Sequence, residues 1–367
     1  MSFRRTLHVL LTLGVLAAPA GASAGPLEQA IAIANDPAAL ASRTAEAERL
    51  FQEAAKAAPT DPVPWYELGL MRSHLGDAKG AAEAWLRVLQ IDPKHAAARA
   101  GLAAQGLAGP QSEAALKELE AIIADNRFQP DARNALSAWA LARGDYETAL
   151  KHARNVLLGD PANVDAALNA AIAYYRQGLY DQAGLIAQSF LEKVPNAAAL
   201  HNLLGLVSLE RDNTRKATEH FLEALKFDPS HDDARINLAA LELGFGNFES
   251  AYRRFNEALE EDPDNVDLVL SRAVAARGLE RFDEAEKGYL RALELRPGYA
   301  EAQYNLCVLH QQFTQKWVEA KRYCETYLAT LDPKHPKLRE LKKRVKSIET
   351  TLKVLETRKE RPDGGTP

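Results

Sequence analysis

Few of the residues that ordinarily carry chemistry are placed to do so in this chain. Its nine histidines are scattered, and none stands at metal-ligand spacing from a Cys, Asp or Glu. No HExxH, GxSxG or phosphate-cradling glycine loop occurs. Acidic pairs such as Asp232-Asp233 and Glu260-Glu261 fall where helical segments begin or end, and carboxylates there are ordinary solvation. What remains is hydrogen-bonding chemistry. The carboxamides of Asn169, Asn202, Asn237 and Asn305 each offer a donor and an acceptor, which matches a peptide group. Two cysteines, Cys307 and Cys324, complete the inventory. The reading is of a binding protein: a non-enzyme with no cofactor and no metal.

The elements that must position these residues are clearest in 232–265. Apolar residues at helical spacing (Ile236, Leu238, Ala239, Leu241, then Ala251, Phe255, Ala258, Leu259) predict two amphipathic helices. Gly244-Phe245-Gly246-Asn247 ends the first and Asp262-Pro263 the second, since Gly tolerates positive φ and Pro lacks an N–H. Two such helices cannot bury their stripes alone, so the pair requires neighbours. Counting in steps of 34 from Glu28, the same pattern returns without a gap to Gly298-Tyr299. Its twentieth position is alanine eight times: Ala47, Ala81, Ala115, Ala149, Ala183, Ala217, Ala251 and Ala285. The eighth is small after the first unit (Gly69, Ala103, Ser137, Ala171, Gly205, Ala239, Ala273), which lets two helix backbones approach closely. A large residue at the twenty-fourth (Trp85, Phe221, Phe255, Tyr289) fills the flanking gap. The thirty-second is Pro, with Arg127 the one departure.

Period, small-residue pair and terminal proline together resemble the tetratricopeptide repeat. Unit 62–95 matches that family's pattern most fully, with Trp65, Leu68, Gly69, Ala81, Trp85 and Pro93 in place. The resemblance covers about 28–335 and implies an all-α, right-handed superhelical solenoid of about nine helix-turn-helix units. It says little about function. The units read 28–61, 62–95, 96–129, 130–163, 164–197, 198–231, 232–265, 266–299 and 300–335. The first is interrupted by Asn35-Asp36-Pro37 and serves as a cap. The third is slim, with Gly101, Gly106 and the breaker Gly109-Pro110. The ninth carries two extra residues, read around Phe313 to Trp317. A helix over 336–360 then covers the open end with Leu338, Leu341, Val345, Ile348, Leu352 and Leu355, as the capping helix of this family does. Its other face is basic, with eleven Lys/Arg against four Glu over 334–361, and 361–367 reads as a frayed tail.

The first 24 residues read as a secretory signal. Arg4 and Arg5 form a positive start, Leu7 to Ala18 an apolar run too short to span a bilayer, and Ala22-Ser23-Ala24 a cleavage site. No Cys comes after that run at the new N-terminus, so the exported chain is not a lipoprotein, and the expected location is periplasmic. Losing Arg4 and Arg5 takes the net charge from −5 to −7, which argues against a nucleic-acid partner.

The family resemblance also implies a set of sites. Cys307 takes the small eighth position of the ninth unit and Cys324 lies on the facing helix. The two are a disulfide candidate in an oxidising compartment, the alternative being two buried thiols. The family's concave groove is lined by the second, fifth, sixth, ninth, twelfth and thirteenth positions of each first helix. From 164 onward the sixth positions are Asn169, Leu203, Asn237, Ser271 and Asn305, and Asn134 and Asn202 stand one place earlier in their units. Some family members hold extended peptides with an asparagine ladder at this place; structural capping is the alternative. Tyr175, Arg176, Leu206, Arg277, Tyr304 and Gln311 complete the candidate partner-binding set, which suits an extended or helical protein segment. The family's carboxylate clamp is not expected, because its positions here are largely apolar or Asn. The basic last helix could meet an acidic partner or an anionic glycolipid, though a solvated outer face is the simpler reading. The function expected is that of an interaction scaffold in an envelope machine for secretion, motility or surface-polymer export. A periplasmic chaperone holding extended chains is the alternative. Some units also resemble repeat proteins of bacterial gliding-motility complexes, without a diagnostic motif behind the likeness.

Overall fold

The computed structural model describes residues 24–359. The signal read over 1–24 (apart from Ala24) and the tail read over 361–367 lie outside them. Among the described residues the chain is all helix: nine antiparallel hairpins and a final helix. It forms two compact units, Met1–Ala234 and Arg235–Pro367.

The first unit opens with α1 (Pro26–Ala34) against α2 (Pro37–Ala57). Asp36 caps α2, accepting from the backbone N–H of Ala38 and Ala39 with Pro37 at the first helical position. Arg43 breaks the helical dihedrals inside α2 (φ −128°, ψ 21°), so this hairpin is as irregular as the sequence implies. Regular pairs follow: α3 (Val63–His74) with α4 (Ala78–Ile91), α5 (Ala96–Gly106) with α6 (Ser112–Asp125), and α7 (Pro130–Ala142) with α8 (Tyr146–Gly159). Next come α9 (Val164–Arg176) with α10 (Tyr180–Leu191), and α11 (Ala198–Glu210) with α12 (Thr214–Phe227). Helix α13 (Asp232–Gly244) begins in the first unit. From Arg235 onward it belongs to the second, where it packs on α14 (Phe248–Glu261) through Ala239, Ala251 and Phe255. The second unit adds α15 (Val266–Gly278) with α16 (Phe282–Leu295), α17 (Ala300–Gln312) with α18 (Trp317–Thr330), and α19 (Leu338–Lys359).

Every alanine of the twentieth position is buried, as a close helix crossing requires. The eighth and twenty-fourth positions meet as expected. A Cβ on Gly69 would fall inside the indole of Trp85, and one on Gly205 inside the ring of Phe221. Where the twenty-fourth residue shrinks to Ala153, the eighth becomes Ser137, whose hydroxyl donates to Ala149 O at 2.9 Å. The loop between hairpins is also repeated. Asp92, Asp160, Asp228 and Asp332 each accept on Oδ1 from the N–H two residues on, and Asn126 does the same at 3.1 Å. Asn126 therefore keeps the turn at the one site where Arg127 replaces proline.

The ninth hairpin distributes its two extra residues differently from the sequence reading. Three residues join α15 to α16 and four join α17 to α18, so one insertion lies in the 313–316 turn. The other is Leu331, between the end of α18 and Asp332-Pro333. This register puts Cys324 where Tyr289 stands in the preceding hairpin, opposite Cys307. The two are bonded, with Cα atoms 4.9 Å apart. Helix α19 seals that hairpin with Leu341, Val345 and Ile348 buried against Cys307, Ala320 and Cys324.

Candidate protein-binding surface

In the first unit the first helices of successive hairpins pack on one another, α5 on α7, α7 on α9 and α9 on α11. Helix α5 presents only small residues there: its buried side chains are Ala98, Ala100 and Ala103. The slimness has a consequence. Tyr66 of α3 reaches past it to α7, its hydroxyl donating to Asp131 Oδ1 at 3.5 Å. Asp131 is held by the residue that starts its own helix. Gln129 Oε1 accepts from Ala132 N at 2.7 Å as the cap of α7, while Gln129 Nε2 donates to Asp131 Oδ2 at 2.8 Å. His95, the cap of α5, lies beside the Tyr66 ring at 5.1 Å between centroids.

Next to Tyr66 stands Glu67, a carboxylate only 8% exposed, whose Oε2 has no hydrogen-bond partner. Burial, and then the charge of Asp131, lift its carboxyl from the usual 4.5 to about 7. Burial also raises Asp131, against the opposing effect of its Gln129 and Tyr66 donors and of His95. The Tyr66 phenol is pushed up by burial and then by Asp131. At the far end of α3, His74 is lowered by burial and lies within electrostatic reach of Asp228 and His231. The first-helix side of this unit therefore carries two carboxylates that act on one another.

The ten residues picked out for a groove divide between the units. In the first, Asn169 is buried and its amide donates to Asn134 O at 3.4 Å. Asn134 Nδ2 in turn donates to Asn163 Oδ1 at 3.1 Å, the atom that also caps α9 by accepting from Ala166 N. These amides form an internal chain tying α7 to α9. Asn202 and Leu206 are buried as well. Tyr175 donates to Glu210 Oε1 at 3.0 Å and lies 5.4 Å from the Tyr180 ring, beside the exposed Arg176. In the second unit, Arg277 Nη1 donates to Asn305 Oδ1 at 3.0 Å, and Asn305 Nδ2 donates to Glu301 O. Asn237 is half-buried on α13. Tyr304 and Gln311 meet the chain's own C-terminal segment. The Tyr304 ring lies 5.1 Å from Tyr327 and under the Lys337 ammonium, and Gln311 Oε1 accepts from Arg344 Nη1.

Glu67 and Asp131 escaped the sequence reading, although they stand at the sixth and second positions of their units, both groove positions of the family. The signal was present in the 34-residue register. Glu67 occupies the place that Asn169 takes in its own unit. Among the described residues no group of three or more His, Cys, Asp or Glu side chains could hold a metal ion, and no helix is long and apolar enough to cross a membrane.

Residues 38–96 match one tetratricopeptide-repeat family model, and 140–207 and 208–269 match another. Residues 241–356 match the family model of the coatomer epsilon subunit. No curated protein matches the sequence. Among solved structures, one similar chain comes from a crystal structure of the APC/C hetero-tetramer Cut9-Hcn1, at 15% identity and a TM-score of 0.66 over 87% of this chain and 62% of that one. Another is a monomeric mutant of IFIT1, at 17% identity and a TM-score of 0.57 over 86% and 80%. A third is YrrB, described as a TPR protein with an unusual peptide-binding site, at 18% identity and a TM-score of 0.39 over 51% and 96%. At such identities the likeness is one of fold.

Proposed function

Because the chain is a tetratricopeptide-repeat protein, we propose that it is a non-enzymatic scaffold of the bacterial cell envelope that binds a partner protein's segment on the first-helix face of its hairpins. The repeat is a protein-interaction fold, and that much comes with the family. The observation that carries the finer reading is how the apolar surface is used. The twentieth-position alanines and the aromatic residues opposite them are consumed in hairpin packing, and α19 covers the last hairpin. The first-helix faces are left with a recurring set of polar and aromatic groups: Tyr66, Asp131, Tyr175, Arg277 and Asn305. Such a mixture suits a polypeptide segment, whose backbone needs donors and acceptors and whose side chains need shallow apolar contact. The envelope location is supported by the secretory pattern of residues 1–24 and by the Cys307–Cys324 bond, which persists in oxidising compartments.

The test is in-cell crosslinking of the full chain in its own organism, with recovery and mass spectrometry after fractionation of the envelope. One or two envelope proteins in fixed proportion are expected. A broad set of unfolded secreted chains would replace the scaffold with a chaperone that holds extended clients. Recovery of cytoplasmic partners alone would overturn the location.

A further inference from the structure

We propose that Glu67 and Asp131 form a recessed acidic pocket on the first-helix side of the first unit that receives the ammonium of a lysine, or the guanidinium of an arginine, from a segment of a partner protein. The inference rests on the reading of the first-helix face as a binding surface and names the chemistry it selects.

The pocket is built, not incidental. Between its two sides lies the alanine-rich α5, past which Tyr66 of α3 reaches Asp131 of α7. Asp131 is fixed by Gln129, and Tyr66 closes one side. Glu67 has folded into a place where its Oε2 is buried without any donor. A buried, unpartnered carboxylate oxygen is costly, and a donor brought by a ligand would relieve that cost. Two carboxylates share the site and act on one another, so a cationic donor fits the missing group better than a neutral one. It also has to bring more than one N–H. An ammonium carries three donors and a guanidinium five, enough to meet Glu67, Asp131 and a backbone carbonyl of its own segment. A metal ion fits less well, since no third carboxylate, His or Cys completes a ligand set among the described residues.

The raised carboxyl of Glu67 supports the assignment and sets its pH dependence. The groups that face it or its partner are Asp131 on α7, Tyr66 on α3 and His95 at the start of α5; His74 ends α3, within electrostatic reach of Asp228 and His231 between α12 and α13. A cation needs Glu67 ionised, so affinity rises as pH climbs through about 7. Stability of the free protein runs the other way. The folded carboxyl holds its proton up to about 7 while the unfolded one releases it near 4.5, so the native state binds more protons in between and loses stability as pH rises across that window.

The experiment pairs selection with stability. The full chain, E67Q and D131N are each used to select from a phage-displayed library of random twelve-residue peptides at pH 8. Selected peptides are then measured by fluorescence anisotropy, with lysine or arginine replaced by norleucine. Wild type is expected to enrich a basic residue at one position, to lose at least about tenfold in affinity on its replacement, and to bind less tightly at pH 6. E67Q should lose the preference while melting higher than wild type at pH 8, and its melting temperature should lose the decline between pH 5 and 7. That stabilisation separates a lost ligand group from a damaged fold. Identical selections by wild type and E67Q, no enriched peptides, or competition by millimolar calcium would each overturn the pocket. Crosslinked partners recovered equally by wild type and E67Q would sink the pocket and leave the scaffold standing; loss of partners from both would sink the scaffold itself.

Discussion

The third and ninth hairpins depart furthest from the repeat, and they do so in opposite directions. In the third, α5 buries only alanines, and its contact with α6 rests on Ala103, Ala115, Leu119 and Ile122, with Ala132, Ala135 and Leu136 of α7 joining the same cluster. In the ninth, the small eighth position and the aromatic twenty-fourth are both cysteine, and a covalent bond replaces packed volume. Elsewhere the same pair is Gly69 with Trp85 or Gly205 with Phe221, where a missing Cβ on one side admits a ring from the other. One contact thus closes each hairpin, and it can be made by volume, by a bond or, where it is thin, by leaning on the next helix. The thin solution has a consequence that the others lack: Tyr66 of α3 reaches Asp131 of α7 past it.

Breaking the bond is expected to have the largest effect. Cys307 and Cys324 are 17 residues apart, a loop for which cross-linking stabilises by roughly 3 kcal/mol in the chain-entropy account. A C307A/C324A variant should lose about that much from the second unit alone, because repeat stability is shared between nearest neighbours. Hydrogen exchange resolves it: amides of α17, α18 and α19 should lose protection while those of α7 to α12 keep theirs. Equal loss in both units, or none, would mean that the bond does not carry the hairpin.

The volume-packed hairpins come next. Gly69→Ala and Gly205→Ala drive a methyl into Trp85 and Phe221, and overpacking of this kind costs about 1–3 kcal/mol. Gly244→Ala is the matched control, since a Cβ there meets nothing within 4 Å, and it should be neutral or slightly stabilising. Urea midpoints for the three variants decide the matter. If Gly69→Ala behaves like Gly244→Ala, the close approach is not what selects glycine at the eighth position.

Much of this architecture was legible in the sequence because it is periodic. The alanine column, the small-large pair, the capping stripe of α19 and the weakness of the third unit are each fixed by residue type at a counted position, and local physics decides them. The candidate site was less legible. For Asn169 the sequence left a ligand-pairing amide and a structural cap both open, and its donor is committed to Asn134 O with the residue buried. Whether a groove position is open depends on the bulk of the hairpin beside it, which a single helix does not reveal. For the same reason Glu67 was not singled out: the sequence does not show that it is buried, or that its neighbour Tyr66 reaches Asp131 of α7 past the slim α5. The division of insertions in the ninth hairpin was missed because either placement leaves Pro333 in the same position of the sequence.

The smallest expected effect tests a turn shared by the second hairpin and the fourth to eighth, between the two helices of each. In the second unit, Arg281 N donates back to Ala276 O at 2.9 Å, and the same bond recurs at Asn247 to Glu242. Such a six-residue closure requires the residue before the donor to adopt positive φ. Gly246 supplies it at 79°, whereas Glu280 is held there at 60°. A side chain with Cβ pays roughly 1–2 kcal/mol in that region, offset in part by the greater freedom that glycine loses on folding. Glu280 is exposed, so its removal sacrifices no packing. Glu280→Gly should therefore stabilise the second unit by roughly 0.5–1 kcal/mol, read as a higher urea midpoint. Asp212→Gly in the first unit should gain less, because a short polar side chain tolerates the left-handed region better than glutamate does. A loss of stability at Glu280 would show that its carboxylate, and not only its backbone, holds the turn.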